Sequence, residues 1–132
     1  MGRLGLLLAL AVLAATALVP NTTLAWIRAG QPWLSEGINQ VEALWPGGDT
    51  VHMVAYVLLG VIARTALPAV RAGWIVLGAL LFSVLTELLQ FYVPGRTPLL
   101  ADVRDNLLGL LLGLALATIA GWLFRRILLF RR

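Results

Sequence analysis

The stretch PGRTPLLADVRDNLLGLLLG, residues 94–113, sets a turn, a run of charged and amide side chains and a glycine-punctuated apolar helix end to end. Arg96, Asp102, Arg104, Asp105 and Asn106 all stand beside the start of an apolar segment. A charge carried unpaired into a bilayer costs about 2.5–3.5 kcal/mol even on lenient insertion scales. These groups therefore mark a membrane boundary and require compensating partners.

The rest of the chain fits that reading. Its 132 residues are 61% hydrophobic with a mean hydropathy of +0.93, far above the roughly 45–50% apolar content of soluble domains. The length suits one domain, residues 1–132. Absence of cysteine excludes disulfides, thiolate nucleophiles and thiolate metal sites. A pI near 11.1 would suit nucleic acid if the basic groups clustered on one face. Here all ten are arginines, and most flank apolar segments, which is the pattern of topology determinants and not of phosphate-backbone binding. No nucleic-acid partner is expected.

Downstream of the quoted stretch, the apolar run continues from 103 to 124 and ends in Arg125, Arg126, Arg131 and Arg132. Upstream, charge-poor runs at about 73–93 and 50–68 give two further helices, and residues 4–20 give a first. Its sixteen uncharged residues, 4–19, span ~24 Å, just short of the hydrocarbon core. A secretory signal is the competing reading, with Arg3 as the basic end and Ala15-Thr16-Ala17 as the cleavage site. The apolar run is longer than the usual ~7–15 residues, which favours an uncleaved helix. Leu6 stands where a myristoylation motif wants Ser or Thr. Between helices 1 and 2, residues 21–49 form the long connection, bounded by Pro20-Asn21 and Pro46-Gly47-Gly48-Asp49. Leu34, Ile38, Val41 and Trp45 recur there at helical spacing, with Trp26 and Trp33 nearby, as in a short amphipathic helix lying in the headgroup region. Such a helix acts as an anchor or lid, or its tryptophans bind substrate. Asn21-Thr22-Thr23 matches a glycosylation sequon but abuts the membrane. The expected fold is an all-α integral membrane protein: a four-transmembrane-helix bundle with a short interfacial helix between helices 1 and 2.

Arginine placement orients it. Arg3, Arg64, Arg71 and the four tail arginines lie on one side, against Arg28, Arg96 and Arg104 on the other. The excess puts both termini in the cytoplasm. His52, at the outer start of helix 2, then meets Glu87 and Gln90, at the outer end of helix 3, and Asp102 to Asn106, at the outer start of helix 4. Spacings of three and four put His52 and Tyr56 on one face, Ser83, Glu87 and Gln90 on another, and Asp102, Asn106, Gly109 and Gly113 on a third. Glu87 lies ~9 Å along its helix from the outer end. A carboxylate at that depth needs a partner, and His52 and Arg96 are the candidates; Arg64, ~18 Å down the helix from His52, is not.

Each residue also has a plain structural reading. His52 can be a hydrogen-bonded packing residue, and Glu87 with Gln90 can join helices through polar contacts. Gly109 and Gly113 read as a close-packing face. Arg96 is a headgroup anchor or a bidentate phosphate ligand. Arg104 is expected to pair with Asp102 or Asp105.

Four elements, taken in order, resemble the VanZ-like family of small membrane proteins: Asp49-Thr50-Val51-His52-Met53-Val54-Ala55-Tyr56 with Leu59-Gly60; Thr86-Glu87-Leu88-Leu89-Gln90; Pro94-Gly95-Arg96-Thr97; and Ala101-Asp102-Val103-Arg104-Asp105-Asn106 with Leu108-Gly109 and Gly113. The resemblance covers roughly residues 49–116. Thr50 departs from it, standing where the family commonly has Lys. It implies a bacterial inner-membrane protein with a four-helix domain, in a family proposed to act on lipid head groups.

The expected activity is phosphoester cleavage or exchange on a phospholipid or polyprenyl-linked substrate at the outer face. His52 would transfer the proton, Glu87 would orient and charge-balance it, and Asp102 and Asp105 would complete the catalytic set. Arg96 would hold the phosphate, with Gln90 and Asn106 as donors to its oxygens and Tyr56 lining the site. A divalent metal on Asp102 or Asp105 is an open variant, with no ligand spacing in its favour. One rival is a non-catalytic factor that binds a lipid or envelope precursor and alters glycopeptide (teicoplanin) susceptibility. Another is a proton-coupled transporter, disfavoured because the polar groups collect at one interface and line no path across.

Overall fold

The structure, a computed structural model, describes residues 2–43 and 50–130. Trp45, the 46–49 turn with Asp49, and the terminal Arg131 and Arg132 lie outside the described residues. The described chain is all helix: α1 (Gly2–Ala17), α2 (Asn21–Gly30), α3 (Pro32–Glu42), α4 (Thr50–Ala66), α5 (Ala72–Gln90) and α6 (Leu100–Phe130), six helices and no strand. By length and composition α5 and α6 are each able to cross a membrane, and α1 with α2 makes a third such length, bent by 100° at the break. At 17 residues, α4 is a shorter apolar helix.

Burial is inverted relative to a soluble protein. Along α5 the buried stripe is Ile75, Ala79, Ser83, Thr86, Glu87 and Gln90. The opposite face exposes Leu77, Leu81, Leu85 and Leu88. Polar groups inward and leucines outward is stable only where the surroundings are hydrocarbon. The chain is an all-α membrane protein.

The bundle is built on the α4–α6 seam, where the two helices run parallel with backbones in contact. A Cβ on Gly109 or Gly113 would strike the carbonyl oxygens of Met53 or Val57, and one on Gly60 would come within 2.6 Å of the Leu110 oxygen. The expected packing role of Gly109 and Gly113 holds, and Gly60 completes it from the facing helix. Tyr56, Leu59 and Ala63 of α4 pack with Ile75 and Ala79 of α5 and Leu110 and Leu114 of α6, and Leu6, Ala9, Leu10 and Leu13 of α1 cover them. Gly2 meets Ala66, so α1 begins beside the end of α4. Since α4 stops at Ala66, the last turns of the 31-residue α6 run on past it.

Two boundaries differ from the sequence reading. The connection 21–49 holds two helices, with Leu34, Ile38 and Val41 on α3 and an additional α2 before it. Pro20 ends α1 because it has no N–H to continue the ladder, yet its carbonyl accepts from Thr23 and Leu24 and so starts α2. Likewise α6 begins at Leu100, not at 103, which brings Asp102 into its first turn, where a carboxylate complements the helix dipole.

Candidate functional site

Three helix ends meet at one end of the bundle: the start of α4, the end of α5 and the start of α6. From α5, Ser83, Thr86, Glu87 and Gln90 are buried, and from α6 so are Asp105 and Asn106. They interlock by short bonds. Asn106 Nδ2 donates to Ser83 Oγ at 2.8 Å, and Thr86 Oγ1 donates back to the Ser83 carbonyl at 2.8 Å. The Tyr56 hydroxyl, buried on α4, joins the Ser83 and Thr86 side chains. Glu87 Oε2 accepts the Leu99 backbone N–H at 3.1 Å. That bond fixes the loop entering α6 to the end of α5. The charged groups acting on Glu87 are Asp102, His52 and Arg96.

His52, Tyr56, Thr86, Glu87 and Asn106 line a small cavity of about 10 Å³, closed by Leu13, Ala17 and Phe82. That is about the volume one water needs. On the other side of His52 lies a larger groove of about 350 Å³ between α1, α2, α3 and α4. Its walls are apolar, from residues such as Val12, Leu24, Ile27, Leu34 and Ile38, and its polar lining comes from Thr16, Arg28, Glu42, His52 and Arg96. His52 faces both spaces.

The arginines are engaged in different ways. Arg96 donates through Nε to the Val19 carbonyl at 3.2 Å and through Nη2 to the Thr16 carbonyl at 3.2 Å. It caps the C-terminal end of α1, whose last carbonyls have no helical partner. Asn21 Nδ2 bonds the Gly95 carbonyl, so the 94–98 turn holds both sides of the α1–α2 bend. Gly95 supplies the left-handed backbone this turn needs, at φ 76°. Arg28 Nη2 pairs with Glu42 Oε1 at 2.9 Å across the groove lining.

The sequence-derived residues therefore divide. His52, Tyr56, Glu87 and Asn106 converge on one cavity, with Arg96 in the adjoining groove. Asp102, Asp105 and Gln90 are in the lining of neither space. Asp105 accepts both Nε and Nη2 of Arg104 at 2.8 Å, the expected pairing. Gln90 Nε2, Thr50 Oγ1 and Asn106 Oδ1 are buried with no hydrogen-bond partner among the described residues. Buried polar atoms normally have a partner in protein or ordered water, and of the three only Asn106 lines the small cavity, where one water fits. Among the described residues no three His, Asp or Glu side chains converge as a metal site.

Sequence reasoning assigned no part in the site to Thr86, Arg28, Glu42 or the Leu99 N–H. Thr86 lay within a quoted motif and one residue from Glu87, so its helix face was a usable signal. Arg28 and Glu42 gave none, because fourteen residues separate them and only the packing of α2 and α3 brings them together.

Comparison with curated proteins and with solved structures gives no match. The model of one family, VanZ/LLP1, matches residues 4–124. That range takes in nearly all of α1, both connecting helices and the whole polar cluster, so the match extends beyond the motifs at 49–116. The chain is a member of the VanZ/LLP1 family.

Proposed function

We propose that this VanZ/LLP1 protein spans the bacterial cytoplasmic membrane four times and acts on phosphate-bearing lipid head groups, of a phospholipid or a polyprenyl-linked precursor, at the extracytoplasmic face. Four passes are supported by α1 and α4 packing beside α5 and α6, with Gly2 against Ala66 at one end and Thr16 tied to Arg96 at the other. Arg3, Arg64, Arg71, Arg125 and Arg126 belong to the end away from the polar cluster, an excess that supports a cytoplasmic position for that end.

The observation that carries the reading is the position of His52 on the wall shared by an apolar groove and a polar cavity. A lipid in the groove would bring its phosphoester to the imidazole, while Glu87, on the cavity side, balances the charge that develops there. Arg96 would receive the phosphate with the guanidinium N–H groups not spent on α1, and Asn106, on the cavity side of His52, would meet its oxygens. The reaction is phosphoester cleavage or exchange. The test is turnover: purified protein in nanodiscs is given labelled phosphatidylglycerol, phosphatidylethanolamine and undecaprenyl pyrophosphate, beside His52→Gln and Glu87→Gln. A product made by the wild type and lost in both variants supports the reading. No product from any substrate by folded wild type, or equal product from His52→Gln, overturns it.

A non-catalytic role is the second reading, favoured by the small size of the cavity. In it the groove binds a lipid or envelope precursor and changes glycopeptide (teicoplanin) susceptibility. His52→Gln would then retain protection in a resistance assay at equal expression, and Arg96→Gln would lose it.

A further inference from the structure

Arg28 and Glu42 lie outside the cluster just described, yet both line the groove that leads to His52. Their ion pair joins α2 to the end of α3 at 2.9 Å, with the two side chains 41% and 43% exposed. A half-exposed pair of this kind is weak, changing an equilibrium by less than about fivefold. A phosphate offers the same guanidinium two parallel acceptor oxygens and a stronger charge-assisted contact. The groove already contains a second arginine, Arg96, and its walls are otherwise apolar.

From this geometry we infer that Arg28 is a second phosphate-binding residue and that Glu42 holds it as a displaceable latch, released when the head group of an anionic lipid enters the groove. The inference rests on the proposed action at lipid head groups and names the substrate class: a lipid with an anionic phosphate. Apolar walls from Val12, Leu24, Ile27 and Ile38 favour a lipid over free phosphate, because they match an acyl chain at its glycerol end. Before the lipid enters, the latch keeps Arg28 paired and holds its guanidinium in the groove lining. As it enters, Glu42 exchanges its partner for water at the headgroup level, and Arg28 from α2 and Arg96 from the 94–98 turn close on one phosphate.

The test is lipid retention by native mass spectrometry of the detergent-solubilised protein, titrated with dioleoyl phosphatidylglycerol or with dioleoylglycerol, which has the same chains and no phosphate. Arg28→Gln should weaken phosphatidylglycerol retention about tenfold and leave dioleoylglycerol unchanged. Glu42→Gln should strengthen it about two- to fivefold, a gain that misfolding cannot produce. The double variant should show no gain over Arg28→Gln alone. Wild-type retention in Arg28→Gln, or weakened retention in Glu42→Gln, overturns the latch. Displacement of phosphatidylglycerol by millimolar inorganic phosphate overturns the lipid assignment. Turnover separates this from the reaction itself. Product formation with an unchanged KM in Arg28→Gln sinks the latch and spares the chemistry, whereas the predicted retention pattern without any product sinks the chemistry and spares the latch.

Discussion

Gly60→Ala tests the seam on which the site is built. The added Cβ would lie 2.6 Å from the Leu110 oxygen, 3.0 Å from the Leu114 nitrogen and 3.1 Å from the Gly113 carbonyl carbon, all backbone atoms of α6. Ordinary carbon–oxygen contact begins near ~3.4 Å, and no rotamer change relieves a clash with main chain, so α4 and α6 must part by roughly 0.8 Å. Overpacking costs about 1–3 kcal/mol, and a clash against three backbone atoms falls in the upper part of that range, about 2–3 kcal/mol. Alanine returns about 0.5–1 kcal/mol through helix propensity, leaving a net loss of about 1–2.5 kcal/mol. For a chain of this size that lowers an apparent melting midpoint by about 4–8 °C. Gly78→Ala is the control, since a Cβ there meets nothing within 4 Å and should leave the midpoint level or raised. Both are read by thermal unfolding of the purified protein in one detergent. The seam also carries His52 beside Met53 and Asn106 one turn before Gly109, so the same substitution should reduce turnover. An unchanged midpoint in Gly60→Ala, or an equal fall in Gly78→Ala, would refute close backbone contact as the basis of the bundle.

Two further outcomes follow from the polar cluster. Ser83→Ala leaves Asn106 Nδ2 without its 2.8 Å acceptor; the single variant should lose about 0.6–2 kcal/mol, and Ser83→Ala with Asn106→Leu should lose less than the sum of the two single losses, as a double-mutant cycle of unfolding midpoints will show. Arg96→Gln removes the caps on Thr16 and Val19, so amide exchange at the end of α1 and through α2 should accelerate at least tenfold, while exchange in α5 stays as in the wild type.

How far the sequence carried the fold depends on the range of each interaction. Local patterns sufficed for the helices, because apolar runs and the spacing of Ser83, Glu87 and Gln90 are properties of one segment. The α4–α6 contact was half legible: Gly109 and Gly113 announce a packing face, but only the structure identifies Gly60 as their counterpart. The extra helix α2 was hidden by Pro20, a residue that ends one helix and opens the next with equal ease. The site was legible as a depth in the membrane and not as a set of contacts. Glu87 was expected to be balanced by His52 or Arg96, and both act on it; its further bond to the Leu99 N–H was not foreseen, because a backbone donor leaves no trace in residue type. Arg96 has the planar fork that suits phosphate, and the same fork suits the two carbonyls at the end of α1. Composition cannot separate those uses.

The bond between Arg96 and α1 also bears on how the protein is made. Residues Thr16 and Val19 leave the ribosome some eighty positions before the arginine that completes them. The two bonds from Arg96 to the end of α1, and the Asn21–Gly95 bond beside them, cannot form until α5 and the following turn have been made. The α1–α2 bend is therefore fixed late in synthesis. A nascent chain arrested before residue 96 would carry every other residue of the groove lining and lack only Arg96.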